Sequence, residues 1–233
     1  MAIVHDTALS TPGLQPETAQ PWVLGPDGQV DLNRGFEQPD APQAPDHFVV
    51  LGVPRRLLLD STHVELRFRS LIRALHPDRF HVHGPEAEAR AQWHTARVND
   101  AVRVLRDLDK RIVYVLDQEP AATAVRFVPP PALLAMVFAA NEAVDELEEQ
   151  PDSATAVAEL AALTADLRVQ RQELTTRLQA VAAQWDDAQR AVEAAAPNAA
   201  ELLTAASTQL RALRGEATYL DNLLARVAQG RTI

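Results

Sequence analysis

Residues 64–80, VELRFRSLIRALHPDRF, combine one apolar helical face with an abrupt stop. Four apolar residues recur at spacings of four, three and four: Val64, Phe68, Leu71 and Leu75. That spacing predicts an α-helix with one buried side. The helix must end at His76-Pro77-Asp78, because proline cannot continue it. We therefore predict a helix that begins at the Asp60-Ser61-Thr62 cap and carries arginines on its remaining face.

Helical segments flank this stretch on both sides. Asp46 is a good cap for a short helix that ends at Gly52. After a loop of residues 81–85, a longer helix is predicted to begin at about Glu86. Its inward positions are Ala91, His94, Val98, Ala101, Leu105 and Ile112. Residues 46–119 thus predict an antiparallel helical hairpin whose connecting corner is the His-Pro-Asp tripeptide.

The C-terminal part predicts three more helices, over residues 131–149, 152–195 and 199–228. Rows of apolar residues recur every seven residues along the second and at alternating three- and four-residue spacings along the third. The rows of the second are Leu160, Leu167, Leu174, Val181 and Ala188, and Val157, Leu178, Trp185 and Val192. The third carries Leu203, Ala206, Leu210, Leu213, Ala217, Leu220, Leu224 and Val227. Seams of this kind joined by short turns predict a three-helix bundle over 132–233, and an all-α protein.

Proline and glycine mark the segments outside these helices. Residues 1–45 hold seven of the sixteen prolines and four of the eight glycines, which predicts a flexible arm. Residues 120–131 end in three consecutive prolines and are predicted to form a linker with a hinge.

Composition and charge exclude several classes of function. Apolar residues make up 47% of the 233 residues and charged residues 23%, as in soluble globular proteins. The chain has no cysteine, so it forms no disulfide, zinc–thiolate or iron–sulfur site of its own. No apolar run is long enough for a membrane span, and the N-terminus lacks the pattern of a secretory or transit peptide. We therefore expect a cytoplasmic protein without a membrane partner.

The distribution of charge argues against nucleic acid as the main partner. The net charge is −10, yet residues 46–119 carry eleven acids and twelve bases. The flanking segments carry −5 and −6. The middle segment is thus locally basic inside an acidic protein, and the acidic flanks disfavour binding to phosphate backbones.

An enzymatic or metal-binding role is one interpretation of the histidines around the tripeptide, which are His76, His81, His83 and His94. No catalytic carboxylate pair, glycine-rich phosphate loop or nucleophile motif accompanies them. We predict no catalytic residue, no metal site and no cofactor. Any ATPase activity would belong to a partner.

The hairpin resembles the J domain of the DnaJ co-chaperones. The first helices and loop of that domain resemble two stretches of this chain, DHFVVLGVP (46–54) and FRSLIRALHPDRF (68–80). A third stretch is most similar to the HscB branch, which serves iron–sulfur cluster assembly: VNDAVRVLRDLDKRIVYVL (98–116). The resemblance implies that this corner contacts a DnaK- or HscA-type heat-shock ATPase chaperone and stimulates its ATP hydrolysis. The implied contact residues are Arg67, Arg69, Arg73, His76, Pro77, Asp78 and Arg79. The alternative is that the His-Pro-Asp tripeptide merely ends its helix and that the arginines form a solvated face without a partner.

The C-terminal helices resemble the client-binding domain of the same family. ALLAMVFAANEAVDELEE (132–149) and TYLDNL (218–223) match its two docking stretches, although Ala135 and Ala139 depart from the pattern. The implied client is an IscU-type iron–sulfur scaffold, and the implied contacts are Leu134, Phe138, Glu142, Glu146 and Tyr219. Two alternatives remain open. Leu134 and Phe138 could be bundle core, or the helices could act as an adaptor or dimerisation coiled coil for another client.

Overall fold

The computed structural model describes residues 46–119, 128–150 and 152–230. These residues form α-helices and two 3₁₀ turns without a strand, which confirms the all-α prediction. The chain divides into two compact units between Tyr114 and Val115. The predicted arm of residues 1–45 and the first eight residues of the predicted linker lie outside the described residues. None of the described helices is long and apolar enough to cross a membrane.

Three helices and the start of a fourth form the first unit. They are α1 (His47–Leu51), α2 (Ser61–Ala74), α3 (Pro85–Leu105) and α4 (Leu108–Asp117), with 3₁₀ turns at Pro77–Arg79 and His81–His83. The predicted caps are confirmed. A side-chain oxygen of Asp46 accepts a hydrogen bond from the backbone N–H of Phe48, and Asp60 does the same for Thr62. Gly52 ends α1 with φ of 64°, a conformation that favours glycine.

The α2–α3 hairpin is antiparallel, as its cross-helix contacts show. The hydroxyl of Thr95 donates to the carbonyl oxygen of Leu75 at one end, and Arg106 contacts Glu65 at the other. The predicted inward positions are buried, except that Phe68 is only half-buried. The buried set is Val64, Leu71, Leu75, Ala91, His94, Val98, Ala101, Leu105 and Ile112.

The prediction of one helix that begins at about Glu86 and includes Ile112 is wrong in one respect. Two helices cover this range: α3 ends before Arg106 and Asp107, and α4 begins after them. The side chain of Asp107 accepts a hydrogen bond from the backbone N–H of Lys110, as an N-cap residue does. A capping aspartate therefore competes with continuation of the helix, which the apolar spacing alone did not reveal.

The second unit contains a three-helix bundle. Its helices are α5 (Pro131–Glu149), α6 (Ala154–Glu193) and α7 (Ala199–Gly230), close to the predicted ranges. Ion pairs of Arg171 with Asp221 and of Arg177 with Glu216 show that α6 and α7 are antiparallel. The first row of leucines on α6 is buried, and so are Leu178 and Trp185 of the second row.

The predicted seams are wrong at several positions. Val157 and Val192, near the two ends of α6, are exposed. Val181 in the first row of α6, and Leu203 and Leu224 on α7, are only half-buried. The row containing Val157 and Val192 is thus covered only in its middle. A repeat in the sequence cannot show how far the neighbouring helices follow it.

A chain of hydrogen bonds joins residues 116–119 to the bundle within the second unit. The indole N–H of the buried Trp185 donates to the hydroxyl of Ser207 at 3.1 Å. That hydroxyl donates to a carboxylate oxygen of Glu119 at 2.6 Å. The guanidinium of Arg211 donates to the second oxygen of Glu119 and to the carbonyl of Leu116. The network satisfies a buried indole and holds this segment on α6 and α7.

Replacing Ser207 with alanine is expected to lower the free energy of unfolding by about 1–3 kcal/mol, because the buried indole N–H loses its acceptor and Glu119 loses a donor. Urea denaturation followed by circular dichroism measures the change. Thr208→Ala is the control, since the hydroxyl of Thr208 bonds only a carbonyl of its own helix in the described contacts. It is expected to change stability by no more than about 0.5 kcal/mol. Equal losses in the two variants would contradict a special role for the network.

Candidate functional site

The His-Pro-Asp tripeptide forms a sharp corner after α2. The backbone of His76 is extended, with φ of −57° and ψ of 126°, and Pro77 opens a 3₁₀ turn. Backbone hydrogen bonds from Arg79 to His76 and from Phe80 to Pro77 close the turn. The side chains of His76 and Asp78 are exposed, and the imidazole Nδ1 lies 3.6 Å from the carboxylate. The corner therefore presents both polar groups to solvent on a hydrogen-bonded turn.

The arginines of α2 occupy two different environments. Arg69 and Arg73 are exposed on the helix surface. Arg79, on the tripeptide turn, is also exposed and reaches back to the carbonyl of Arg73 at 3.4 Å. Arg67 instead donates from Nε to the carbonyl oxygen of Leu51 at 3.0 Å, and burial lowers the pKa of its guanidinium. The exposed basic surface of α2 thus consists of Arg69 and Arg73, whereas Arg67 ties α2 to the end of α1.

These two environments predict opposite consequences for two arginine variants. Arg67→Ala is expected to destabilise the first unit by about 1–3 kcal/mol, because the Leu51 carbonyl loses a charged donor. Arg73→Ala is expected to change the free energy of unfolding by no more than about 0.5 kcal/mol, because its side chain is exposed. Thermal and urea denaturation of both variants provide the measurement. A stability loss confined to Arg73→Ala would contradict these assignments.

One carboxylate links α2 to α3. Arg69 donates to one oxygen of Glu65 at 2.9 Å, and Arg106 donates to the other at 2.8 Å. The guanidinium of Arg106 also lies over the ring of Phe68, 5.9 Å from its centroid. The hydrogen bond from Arg69, and after it the charge of Arg106, lower the pKa of Glu65. Arg106 lies 41 residues from Glu65 in the chain, and no pattern in the sequence links the two residues.

The four histidines near the tripeptide do not converge on a metal site. His94 is buried within the hairpin and packs edge-on against Trp93. His76 and His83 are exposed, and His81 is paired with Glu88 at 3.0 Å. No group of three or more histidine, cysteine, aspartate or glutamate side chains in the described residues could hold a metal ion.

A second exposed surface lies on α5. The helix buries one face, made of Leu133, Ala140, Ala143, Val144 and Leu147. Leu134 and Phe138 lie outside that face, with 38% and 67% of their surfaces exposed. These two large apolar side chains therefore project away from the bundle core. The alternative that they are ordinary core residues is wrong.

The two predicted acidic contacts on α5 differ in accessibility. Glu142 is exposed one turn after Phe138. Glu146 is half-buried, and its carboxylate accepts a hydrogen bond from the hydroxyl of Ser153 at 2.7 Å. Ser153 is the N-cap of α6 and also accepts from the backbone N–H of Ala156. Glu146 thus helps to hold the turn between α5 and α6.

Tyr219 lies at the same level of the bundle as the exposed apolar pair of α5. Met136 contacts Gln170 of α6. The next residue of α6, Arg171, pairs with Asp221 of α7. Tyr219 precedes Asp221 by two residues, and its side chain is half-buried. The fold therefore brings residues 134–138 and Tyr219 to the same level of the bundle, from stretches that are 81 residues apart.

Comparison with known proteins gives one clear group of relatives. No protein-family model matches the chain. It is 34% identical over 138 residues to the "Co-chaperone protein HscB homolog" of Bordetella petrii, a match that covers 58% of this chain and 79% of that relative.

Solved structures show a similar fold. "Chaperone HscB from Vibrio cholerae" matches with a TM-score of 0.51 and 22% identity, over 81% of this chain and 98% of that one. The human co-chaperone protein HscB matches with a TM-score of 0.53 and 17% identity, over 95% and 93%. At these identities the likeness shows a shared fold.

Proposed function

The chain belongs to the HscB family of co-chaperones, and from this premise we propose that it delivers an IscU-type iron–sulfur scaffold to a DnaK- or HscA-type heat-shock ATPase chaperone. On delivery it stimulates ATP hydrolysis by the chaperone and so promotes transfer of the cluster. The protein acts in the cytoplasm without a cofactor of its own. Hydrolysis is carried out by the partner, because this sequence contains no glycine-rich phosphate loop.

The exposed corner at the end of α2 is the observation that carries the chaperone half of this proposal. His76 and Asp78 are accessible there, and the exposed guanidinium groups of Arg69 and Arg73 lie on the helix that leads into it. A basic helix surface fits an acidic surface on the partner, where complementary charge orients the complex and speeds association. Arg67 ties α2 to α1 through the carbonyl of Leu51 and is not one of the proposed contacts.

The surface of α5 supports the client half. Leu134 and Phe138 are exposed on a helix that has five acidic residues and no basic one. All five acids lie in its second half, toward the end where the helix dipole disfavours negative charge. Such a surface suits a partner that offers an apolar recess beside basic residues. Tyr219, at the same level of the bundle, is proposed to complete it.

A J-domain co-chaperone with a different client is the second candidate. Two features of α5 favour it: the positions of Ala135 and Ala139 are exposed but carry small side chains, and Glu146 is engaged by Ser153. Both features reduce the surface that a scaffold could grip. The bundle would then serve as an adaptor or dimerisation coiled coil.

Steady-state ATPase measurements separate these candidates. Purified DnaK- and HscA-type chaperones are assayed with this protein, with and without an IscU-type scaffold. Stimulation that rises synergistically with the scaffold is the expected result. Stimulation that is indifferent to the scaffold favours the second candidate, and no stimulation by this protein would overturn the chaperone half of the proposal.

A further inference from the structure

Three charged groups form a bridge across the α2–α3 hairpin. Glu65 lies between Arg69, on its own helix, and Arg106, at the end of α3, with one carboxylate oxygen bonded to each. All three side chains reach the surface, and those of Arg69 and Arg106 are exposed. Two guanidinium groups share a single carboxylate, so the bridge keeps a surplus of one positive charge.

The bridge can still bind carboxylates of another protein. A guanidinium carries five N–H donors. In the contacts described, Arg69 donates a hydrogen bond to Glu65 from Nε, and Arg106 donates one from a single terminal nitrogen. Contact of Arg106 with the Phe68 ring limits its freedom, so less side-chain entropy is lost when a partner binds. Two preorganised cations with remaining donors are therefore available at this point of the surface.

The position of the bridge fits the size of a protein interface. Glu65 precedes His76 by eleven residues, which is about 16 Å along a helix. A standard interface buries about 800 Å² on each partner, which corresponds to a patch roughly 30 Å across. One partner can therefore contact the tripeptide corner and the bridge together.

We infer that Arg106 is a further chaperone-contact residue, and that the basic docking surface extends from α2 onto α3 through the Arg69–Glu65–Arg106 bridge. The inference rests on the proposed chaperone function and adds a second helix to it. Its partner is an acidic surface of the ATPase chaperone, whose carboxylates bind the donors that Glu65 leaves available. Glu65 is a positioning residue, because it holds both guanidinium groups in place.

The test compares Arg106→Ala with Arg103→Ala. Arg103 is a matched control because it is also exposed, lies in the last turn of α3 and has an ion pair, in its case with Asp100 of its own helix. At low salt, Arg106→Ala is expected to raise the concentration for half-maximal ATPase stimulation by about three- to ten-fold. Arg103→Ala is expected to stay within about two-fold of the unmodified protein.

Salt dependence separates a contact from a structural role. At about 0.5 M salt the Debye length is roughly 4 Å, so the difference between Arg106→Ala and the unmodified protein is expected to shrink. Arg106→Lys retains the charge and is expected to recover part of the lost stimulation. A loss that persists unchanged at high salt, or equal behaviour of the Arg106→Ala and Arg103→Ala variants, would overturn the inference.

The same assay distinguishes failure of the inference from failure of the proposed function. If the unmodified protein stimulates the chaperone and Arg106→Ala does so equally well at low salt, only the role of Arg106 is lost. If the unmodified protein gives no stimulation, the chaperone function fails and the inference fails with it.

Discussion

His76→Gln is expected to abolish stimulation of the chaperone ATPase while leaving the fold unchanged. The imidazole is exposed at the corner between α2 and the 3₁₀ turn, so its removal leaves no cavity. The backbone hydrogen bonds that close the turn do not involve the ring, which lies exposed at the corner. If His76 is a hot spot, its loss costs about 2 kcal/mol or more of binding, a reduction of roughly 30-fold or more.

His83→Gln provides the matched control. His83 is another exposed histidine and lies in the neighbouring 3₁₀ turn. The same substitution there is expected to leave stimulation close to that of the unmodified protein. Circular dichroism and thermal denaturation should be unchanged in both variants. Undiminished stimulation by His76→Gln would show that the tripeptide is only a helix stop.

Replacing Leu134 and Phe138 together with alanine is expected to weaken scaffold binding by roughly 30-fold or more, if the pair forms the apolar anchor of the interface. Both side chains project from α5 away from the bundle. Their removal is therefore expected to change the free energy of unfolding by no more than about 0.5 kcal/mol at Phe138, and by about 1–2 kcal/mol at Leu134, which is only 38% exposed. Isothermal titration calorimetry with an IscU-type scaffold measures the affinity, and urea denaturation measures the stability.

Leu202→Ala controls for the loss of exposed apolar surface in general. Leu202 lies on α7, is 57% exposed and is not among the proposed client contacts. Its variant is expected to bind the scaffold normally. The client assignment would be wrong if Leu202→Ala weakened binding as much as the double variant, or if the double variant bound normally. Stimulation of the chaperone in the absence of scaffold should survive in both variants.

Helix positions and caps could be predicted because they depend on neighbouring residues. Asp46, Gly52 and Asp60 act within a few residues of themselves, and each occupies its predicted cap. Apolar spacing likewise identified the buried faces of α2 and α3. The break at Asp107 was missed because the apolar period continues through it, while the capping hydrogen bond to Lys110 interrupts the helix locally.

The exposure of a side chain is harder to predict, because it depends on which helix lies opposite. The spacing of Leu134 and Phe138 is compatible with bundle core, and only the packing of α5 through its other face leaves them exposed. Arg67 shows the reverse case. Its neighbours in sequence suggest a solvated basic face, but the carbonyl of Leu51, sixteen residues away, accepts its hydrogen bond.

Local sequence is enough to predict the all-α class, the helix caps, the corner at His76 and the motifs by which the HscB family can be identified. These features depend on local backbone preferences and on the spacing of apolar residues, both of which involve residues that are close together in the chain. The packed helices were needed to show that Arg67 is a packing residue, that Glu146 holds a turn and that Arg106 joins Arg69 at Glu65. Each of these depends on a distance between residues that are far apart in the chain, and such distances exist only once the helices have packed.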